Sequence, residues 1–331
     1  MLQSTISIII PVYNGGEAFT RCLTSLKNSK VRPLEIIVVA DGDTDGSGEL
    51  AEKFGAKVLR NNTSKGPATA RNKGAAIARG DILLFIDADV TIYPDTLAKV
   101  AQVFESEPDL TALIGSYDDQ PGALNFLSQY RNLFHHYNHQ IAKEEASTFW
   151  GACGGIKREV FLEMGGFDES YRRPCIEDVE LGYRLKAAGY RIRLCKEIHV
   201  KHLKHWTPYS MLRADFFYRA LPWTELIHRQ NYLPNDLNLQ WSSRLSVLLV
   251  YSLLAVSVTG FWTPSVWIVA ILIISSLLTL NAPVYQFFWE KRGFLFTLRT
   301  LPWHWLYYFY SGLGFALGTL RYWLFRRIKQ A

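Results

Sequence analysis

The stretch Phe85-Ile86-Asp87-Ala88-Asp89-Val90 decides how this chain folds. An apolar run ending at Phe85 and Ile86 meets two carboxylates, Asp87 and Asp89, one residue apart. A buried parallel strand delivering oxygen ligands to the carboxyl edge of a sheet has this pattern, and open α/β sheets bind ligands at that edge. Hard oxygen donors suit Mg²⁺ or Mn²⁺, and an ion held there can bridge a diphosphate. Taken alone, a strand followed by an acidic turn is the plainer reading. The surrounding chain has to decide.

Outward from this stretch, strand and helix signals alternate. Ser7 to Ile10 is an apolar strand broken by Pro11, followed by helical spacing of Phe19, Cys22, Leu23 and Leu26. Glu35 to Val39 is a second strand bounded by Asp41-Gly42, and Lys57 to Leu59 a third. Pro67 and Gly80 bracket a helix ahead of Ile82 to Ile86, and Pro94 opens another before a strand from Leu110 to Ile114. Repeated βαβ units predict an α/β fold with a mostly parallel, Rossmann-like sheet and right-handed crossovers. Phe126 to His139 reads as an aromatic helix near an acceptor or membrane. Its His135, His136 and His139 are expected to be solvated, and a metal site is the lesser reading.

The 331 residues exceed one α/β domain, and the net charge of +6 is unevenly placed. After Trp241 the only acidic residue is Glu290, whereas Arg244, Lys291, Arg292, Arg299, Arg321, Arg326, Arg327 and Lys329 are basic. Two apolar runs, Ser242 to Trp262 and Ser265 to Leu280, are split by Thr263-Pro264 and approach the length that a bilayer core of ~30 Å requires. They predict a transmembrane hairpin. A third run, Trp303 to Leu320, is open between spanning and lying in the interface, because a third span would leave the terminal basic cluster outside. Tyr209 to Arg229 reads as an interfacial amphipathic helix broken at Pro222. The expected organisation is a soluble domain over residues 1–205, an interfacial segment over 206–240 and a membrane domain with two or three helices over 241–331. Basic residues flanking apolar runs point to anionic headgroups. No basic stripe interleaved with aromatic residues suggests nucleic acid. Cys22, Cys153, Cys175 and Cys195 form no C-x-x-C pair, which fits a reducing compartment. The stretch MLQSTISIII lacks the basic start of a signal peptide, so the first domain is expected on the cytoplasmic side of the inner membrane.

Six segments, in order, make the chain resemble a family 2 glycosyltransferase of the GT-A fold. They are SIIIPVYNGG (Ser7 to Gly16), EIIVVADGDTDGS (Glu35 to Ser47), SKGPATARNKG (Ser64 to Gly74), FIDADV, GACGGIKREVFLEMGGFDE (Gly151 to Glu169) and IEDVELGYRLKAAGY (Ile176 to Tyr190). The resemblance implies that Pro11, Tyr13 and Asp41 line a nucleotide pocket, with Asp41 the partner of the base. Ala40 stands where the family often has a further aspartate, which leaves the nucleotide preference open. It also implies that Lys65 and Arg71 approach the donor diphosphate and that Asp87 and Asp89 are the DxD pair, with Asp89 the direct metal ligand. Glu177 and Asp178 resemble the family's ED motif, Asp178 being the general base of an inverting transfer to a hydroxyl. His202 matches a further metal ligand, while Trp150, Gly151, Gly154 and Gly155 resemble a wall where acceptor and donor sugar meet.

The chain lacks the Q-x-x-R-W of processive synthases and any G-x-G-x-x-G after a strand. These features lead to the expectation of a membrane-anchored inverting enzyme using Mg²⁺ or Mn²⁺. It would move one sugar from a nucleotide sugar, UDP-linked by preference, to a lipid or lipid-linked acceptor. A polyprenyl-phosphate sugar synthase is the alternative within the class. A non-catalytic membrane scaffold is the alternative outside it.

Overall fold

The computed structural model describes residues 4–330, with side chains through Leu324, so the side chains of Arg326, Arg327 and Lys329 lie outside the described residues. The chain divides into two compact units, Met1–Trp206 and Thr207–Ala331.

The first unit begins β1 (Ile6–Val12), α1 (Gly16–Lys27), β2 (Glu35–Asp41), α2 (Ser47–Lys53), β3 (Lys57–Asn61) and α3 (Pro67–Ile77). It continues β4 (Ile82–Ile86), β5 (Val90–Ile92), α4 (Thr96–Ser106), β6 (Ala112–Tyr117) and α5 (Phe126–Ile141). It closes with β7 (Cys153–Lys157), α6 (Arg158–Glu163), α7 (Glu177–Ala187) and β8 (Ile192–His202). The strands form one sheet in the order β3-β2-β1-β4-β7-β6-β8-β5. The pairs β1–β2, β2–β3, β1–β4 and β6–β8 are parallel. The pairs β4–β7, β6–β7 and β5–β8 are antiparallel.

The sheet is buried on both faces, which is why its central strands are continuously apolar. Ile8 and Ile10 of β1 join the core formed with α1 and α4, whereas Ile9 turns to the other face. There α3 approaches so closely that a Cβ on Gly74 would stand 2.7 Å from Ile9. The same alternation along β4 puts Leu84 and Ile86 in the first core and Phe85 against Phe149, Phe161 and Phe167 on the other side.

The sheet is mixed because of the edge strand β5, antiparallel to β8, and because of β7. Its sequence CGGIK looks like a glycine loop, yet it runs antiparallel between β4 and β6. Gly154 and Gly155 therefore lie inside the sheet instead of walling an acceptor site. A Cβ on Gly154 would meet the Phe149 ring at 2.5 Å, and one on Gly155 would stand 3.2 Å from Phe104. Close packing is what these glycines allow.

A second correction concerns α5. His136 and His139 are buried, with Nδ1 atoms 2.6 Å and 3.2 Å from the carbonyl oxygens of Tyr117 and Gly115. They tie α5 to β6. Burial also pushes the His139 imidazole down to about 4, so it stays neutral.

The second unit contains α8 (Pro208–Asp215), a π-helical turn (Phe216–Ala220), α9 (Leu221–Gln230), α10 (Trp241–Thr259), α11 (Trp267–Leu280), α12 (Ala282–Arg292) and α13 (Phe294–Gln330). Pro222 occupies the first turn of α9, where its missing N–H is harmless, so it does not break the helical run. Close to Ala220 and Thr224 are Gly314 and Gly318 of α13, where an added Cβ would stand 2.6 Å and 2.7 Å away. Among the described residues α10, with mean hydropathy 1.5, is the one helix long and apolar enough to cross a membrane unaided. A second crossing arises if Pro264–Leu280 and α12, bent by 62°, form one broken span. At a rise of about 1.5 Å per residue, α11 alone falls short of a bilayer core. The third apolar run does not pass as a span; it lies within α13, where His304 is buried beside Tyr285 and Tyr308.

Gly182 on α7 faces the backbone of Thr148 and Phe149, where a Cβ would meet Phe149 N at 2.2 Å. Gly182→Ala should therefore destabilise the protein by about 1–3 kcal/mol, the usual range for overpacking. Thermal melting of the full chain measures it; an unchanged melting temperature would contradict this packing.

Candidate active site

The cleft opens at the carboxyl ends of β1, β2 and β4. It encloses about 490 Å³ and is lined by Pro11 to Gly15, Asp41, Ser64, Gly66, Pro67, Arg71, Asp87 to Asp89, Arg172 to Pro174 and Lys204. Tyr13 projects at its lip, 59% exposed. Here Pro11, Tyr13, Asp41, Arg71, Asp87 and Asp89, singled out from the sequence, meet around one space.

Their roles differ in detail from expectation. The Asp41 carboxylate accepts from Asn61 Nδ2 (2.7 Å), Ser64 Oγ (2.9 Å), Lys65 N (3.0 Å) and Gly66 N (2.8 Å). Four donors fill a carboxylate's ordinary capacity. Asp41 thus shapes the loop over residues 61–66, with its acceptor atoms committed there and not open to a base. Lys65 lines a separate surface depression with Thr69, Asn72 and Lys73.

Arg71 is no free surface cation either. It lies on the buried stripe of α3 with Ala68 and Ala75, and its guanidinium spans Asp87 Oδ1 (2.7 Å) and Glu177 Oε1 (2.8 Å). Burial opposes its charge, but Asp87 and Glu177 overrule burial and raise its pKa. Glu177 is itself buried, and its other oxygen accepts from Cys175 N at 2.9 Å. Glu177 is therefore a structural partner of Arg71. Its neighbour Asp178 accepts from Gly151 N (3.0 Å) and Val179 N (2.8 Å). Burial first, and the Glu177 charge second, push Asp178 up to about 6. A carboxylate so raised is basic enough to take a proton near neutral pH.

The strand ladder brings Asp89 and His202 together. β5 pairs antiparallel with β8 in the register Val90↔His202, and Leu203 N donates to Asp89 O at 2.8 Å. His202 Nε2 then stands 3.6 Å from Asp89 Oδ2. Burial raises the Asp89 pKa, but His202 and then Lys204 outweigh it and leave the carboxyl at about 2. Asp89 is an ionised donor facing an imidazole nitrogen, a set that suits Mn²⁺ or Mg²⁺. Among the described residues no three His, Cys, Asp or Glu side chains gather as a closed cage. An ion here would thus rely on phosphate and water oxygens for its other positions, as Mg²⁺ sites commonly do.

Trp150 packs edge-on to Tyr117 at 4.7 Å, and Gly151 sits against the Arg71 guanidinium, where a Cβ would meet Nη2 at 2.9 Å. Of the expected acceptor wall, Gly151 adjoins the charged groups, whereas Trp150 packs among the rings of Tyr117, His135 and His139. The cleft cations that sequence reasoning missed are Arg172, Arg173 and Lys204. The signal available for them was only that they follow or precede the motifs closely.

Arg71→Met should leave Glu177 buried without its cation, destabilising the protein by about 3–5 kcal/mol. Replacing both residues by apolar ones should recover part of the loss. Chemical denaturation of the three proteins tests this, and a stable single variant would remove Arg71 from its structural role.

Residues 7–165 match the family described as Glycosyl transferase family 2, and residues 131–206 match one described as the N-terminal domain of galactosyltransferase. The uncharacterized glycosyltransferase YibD of Escherichia coli is 37% identical over 116 residues, 33% of each chain. The O-antigen chain rhamnosyltransferase RfbN of Salmonella typhimurium is 25% identical over 236 residues, covering 66% of this chain and 74% of the relative. A glucosyl-dolichyl phosphate glucuronosyltransferase of Haloferax volcanii is 26% identical over 184 residues, covering 51% and 57%. The chain thus spans a third of the first relative's length and little over half of the third's. Among solved structures, the mannosyltransferase PcManGT of Pyrobaculum calidifontis, in complex with GDP-Man and Mn²⁺, superposes with a TM-score of 0.67 at 18% identity, covering 96% of this chain and 88% of that one. The chain carries a glycosyl transferase family 2 domain on a GT-A fold.

Proposed function

We propose that this protein is a membrane-anchored, metal-dependent, inverting glycosyltransferase that moves one sugar from a nucleoside diphosphate donor to a lipid or lipid-linked acceptor. The observation that carries this reading is a convergence at one sheet edge. Asp87 and Asp89 follow β4, His202 ends β8, and Asp178 stands in the first turn of α7. The same chain continues into the apolar α10. Relatives named for O-antigen and dolichyl phosphate substrates support an acceptor of this class.

In this reading the nucleoside packs along Pro11 to Gly15 under the lip made by Tyr13. Asp89 and His202 would hold the divalent ion, and Arg71 fixes the Asp87 carboxylate. When bound, the ion supplies charge neutralisation for the departing nucleoside diphosphate. Arg172, Arg173 and Lys204 bring further positive charge to the cleft. The acceptor hydroxyl oxygen attacks the anomeric carbon, the carbon–oxygen bond to the diphosphate breaks, and Asp178 takes the hydroxyl proton. Inversion follows from this single displacement. The apolar surface of α10 and α11, including Leu248, Ile268, Ile271 and Leu272, is exposed and suits contact with lipid. The aromatic and basic residues Tyr209, Arg213 and Phe217 suit the headgroup layer, with the first unit on the cytoplasmic side.

A phosphate acceptor, as in a polyprenyl-phosphate sugar synthase, is the second reading. Arg172, Arg173 and Lys204 favour it, since an anionic acceptor needs cations more than a base. Asp178 separates the two. For a hydroxyl acceptor, Asp178→Asn should lower turnover by about 10²–10⁴-fold, and the wild-type rate should rise with pH through about 6. For a phosphate acceptor, both effects should be small.

Stability should move the other way. A carboxyl whose folded pKa is raised stabilises the fold fully below its ordinary 3.8, and that contribution is lost as pH rises through about 6. Asp178→Asn should therefore melt higher than wild type at pH 7.5, with the difference vanishing near pH 4.

The direct test incubates membranes containing the full-length protein with UDP- and GDP-sugars, with and without Mn²⁺ or Mg²⁺, and follows lipid mass. One lipid should gain a single sugar, only with a divalent ion. Transfer that proceeds equally in EDTA would overturn the metal assignment, and recovery of the protein in the soluble fraction without detergent would overturn the anchor.

A further inference from the structure

A ligating imidazole normally has its ring fixed by a hydrogen bond from its other nitrogen to a carboxylate or carbonyl. His202 is held differently. Its ring lies on the face of Tyr117, with centroids 4.4 Å apart and planes only 8° from parallel. Among the described residues Tyr117 is the one aromatic ring stacked on it.

The sheet creates this contact. β6 and β8 are parallel, with Ile114 opposite Leu194 but Ser116 opposite His199, so β8 has three residues more than β6 in this interval. An odd excess exchanges the faces of β8 beyond the irregularity. Tyr117 then lies opposite Val200, and His202, two residues further, shares its face. Tyr117 is itself fixed. It is 8% exposed, its carbonyl takes His136 Nδ1 at 2.6 Å, and its ring is braced by Trp150 at 4.7 Å and His135 at 4.8 Å.

We infer that Tyr117 is a positioning residue that sets the His202 ring plane and so holds Nε2 where it and Asp89 share a divalent cation. The inference rests on the metal reading above and adds the residue that makes this two-donor site competent. The flat ring, not the hydroxyl, does the positioning. With few protein ligands, the orientation of each one governs affinity strongly.

The test is calorimetric titration of Mn²⁺ into the full-length protein in detergent, with UDP or GDP present, on wild type and on the variants Tyr117→Phe, Tyr117→Leu and His202→Ala. Tyr117→Phe should keep wild-type affinity. Tyr117→Leu should weaken Mn²⁺ binding by about 10-fold or more, the usual scale of lost orienting contacts. Its turnover should recover as Mn²⁺ is raised, whereas His202→Ala should recover less. Thermal melting of each variant reports folding; if the leucine variant melts early, Tyr117→Met replaces it as a longer, flexible side chain without a ring.

Unchanged affinity in Tyr117→Leu, while His202→Ala loses binding, would overturn the positioning role and leave the metal reading intact. Equal weakening by Tyr117→Phe would overturn the argument from the ring face. Absence of Mn²⁺ binding by the wild type would instead overturn the metal reading itself, and this inference with it.

Discussion

The Arg71 guanidinium, held between Asp87 and Glu177, is the interaction on which the catalytic unit depends. It joins three elements far apart in sequence: α3, the end of β4 and the first turn of α7. The buried Glu177 carboxylate would be unfavourable without the cation, and the buried cation would be unfavourable without its two acids. Gly151 must be glycine-sized because the guanidinium fills the space beside it. The Gly151 N–H then fixes Asp178. A buried charge cluster thus converts the packing of three elements into the placement of a carboxyl group whose pKa is raised.

The same unit tunes two carboxylates in opposite directions. Asp89 faces His202 and Lys204 and stays ionised at about 2. Asp178 faces burial and the negative charge of Glu177 and rises to about 6. Environments that push two carboxyl groups apart assign them different work. Asp89 suits permanent attraction of a cation, and Asp178 suits proton transfer. Arg71 pairs with the two neighbouring acids, Asp87 and Glu177, and its charge limits the rise of Asp178.

The helical unit joins its apolar helices through small residues and buried polar groups. Gly314 and Gly318 let α13 approach Ala220 and Thr224 closely. Asn281, at the bend between α11 and α12, donates to Ser246 Oγ (3.0 Å) and accepts from Tyr308 (2.7 Å). Small-residue contact and buried hydrogen bonds act here beside apolar packing by Leu277, Val284 and Phe288.

Much of this was legible in the chain itself. The apolar runs of β1, β2 and β4, the turn residues that follow them, and the helical spacing of α1 each state their structure locally. So did the abrupt change of composition after Trp241, because charge cannot be hidden in a long apolar run. What local pattern could not express was pairing. CGGIK carries no strand signal, and only its neighbours β4 and β6 make it one. Arg71 and Glu177 look like surface charges until α3 and α7 bury them together, although the place of Arg71 on the Ala68–Ala75 stripe hinted at it. Asp41 looks like a ligand partner until the loop over residues 61–66 folds onto it. By itself the sequence determined the order of elements, the sheet edge where chemistry gathers and the apolar nature of the C-terminal helices, since these follow from short-range periodicity and polarity. Only the tertiary structure decided which charged groups face solvent and which neutralise one another. Burial and proximity between segments as much as 106 residues apart set the fate of each charge.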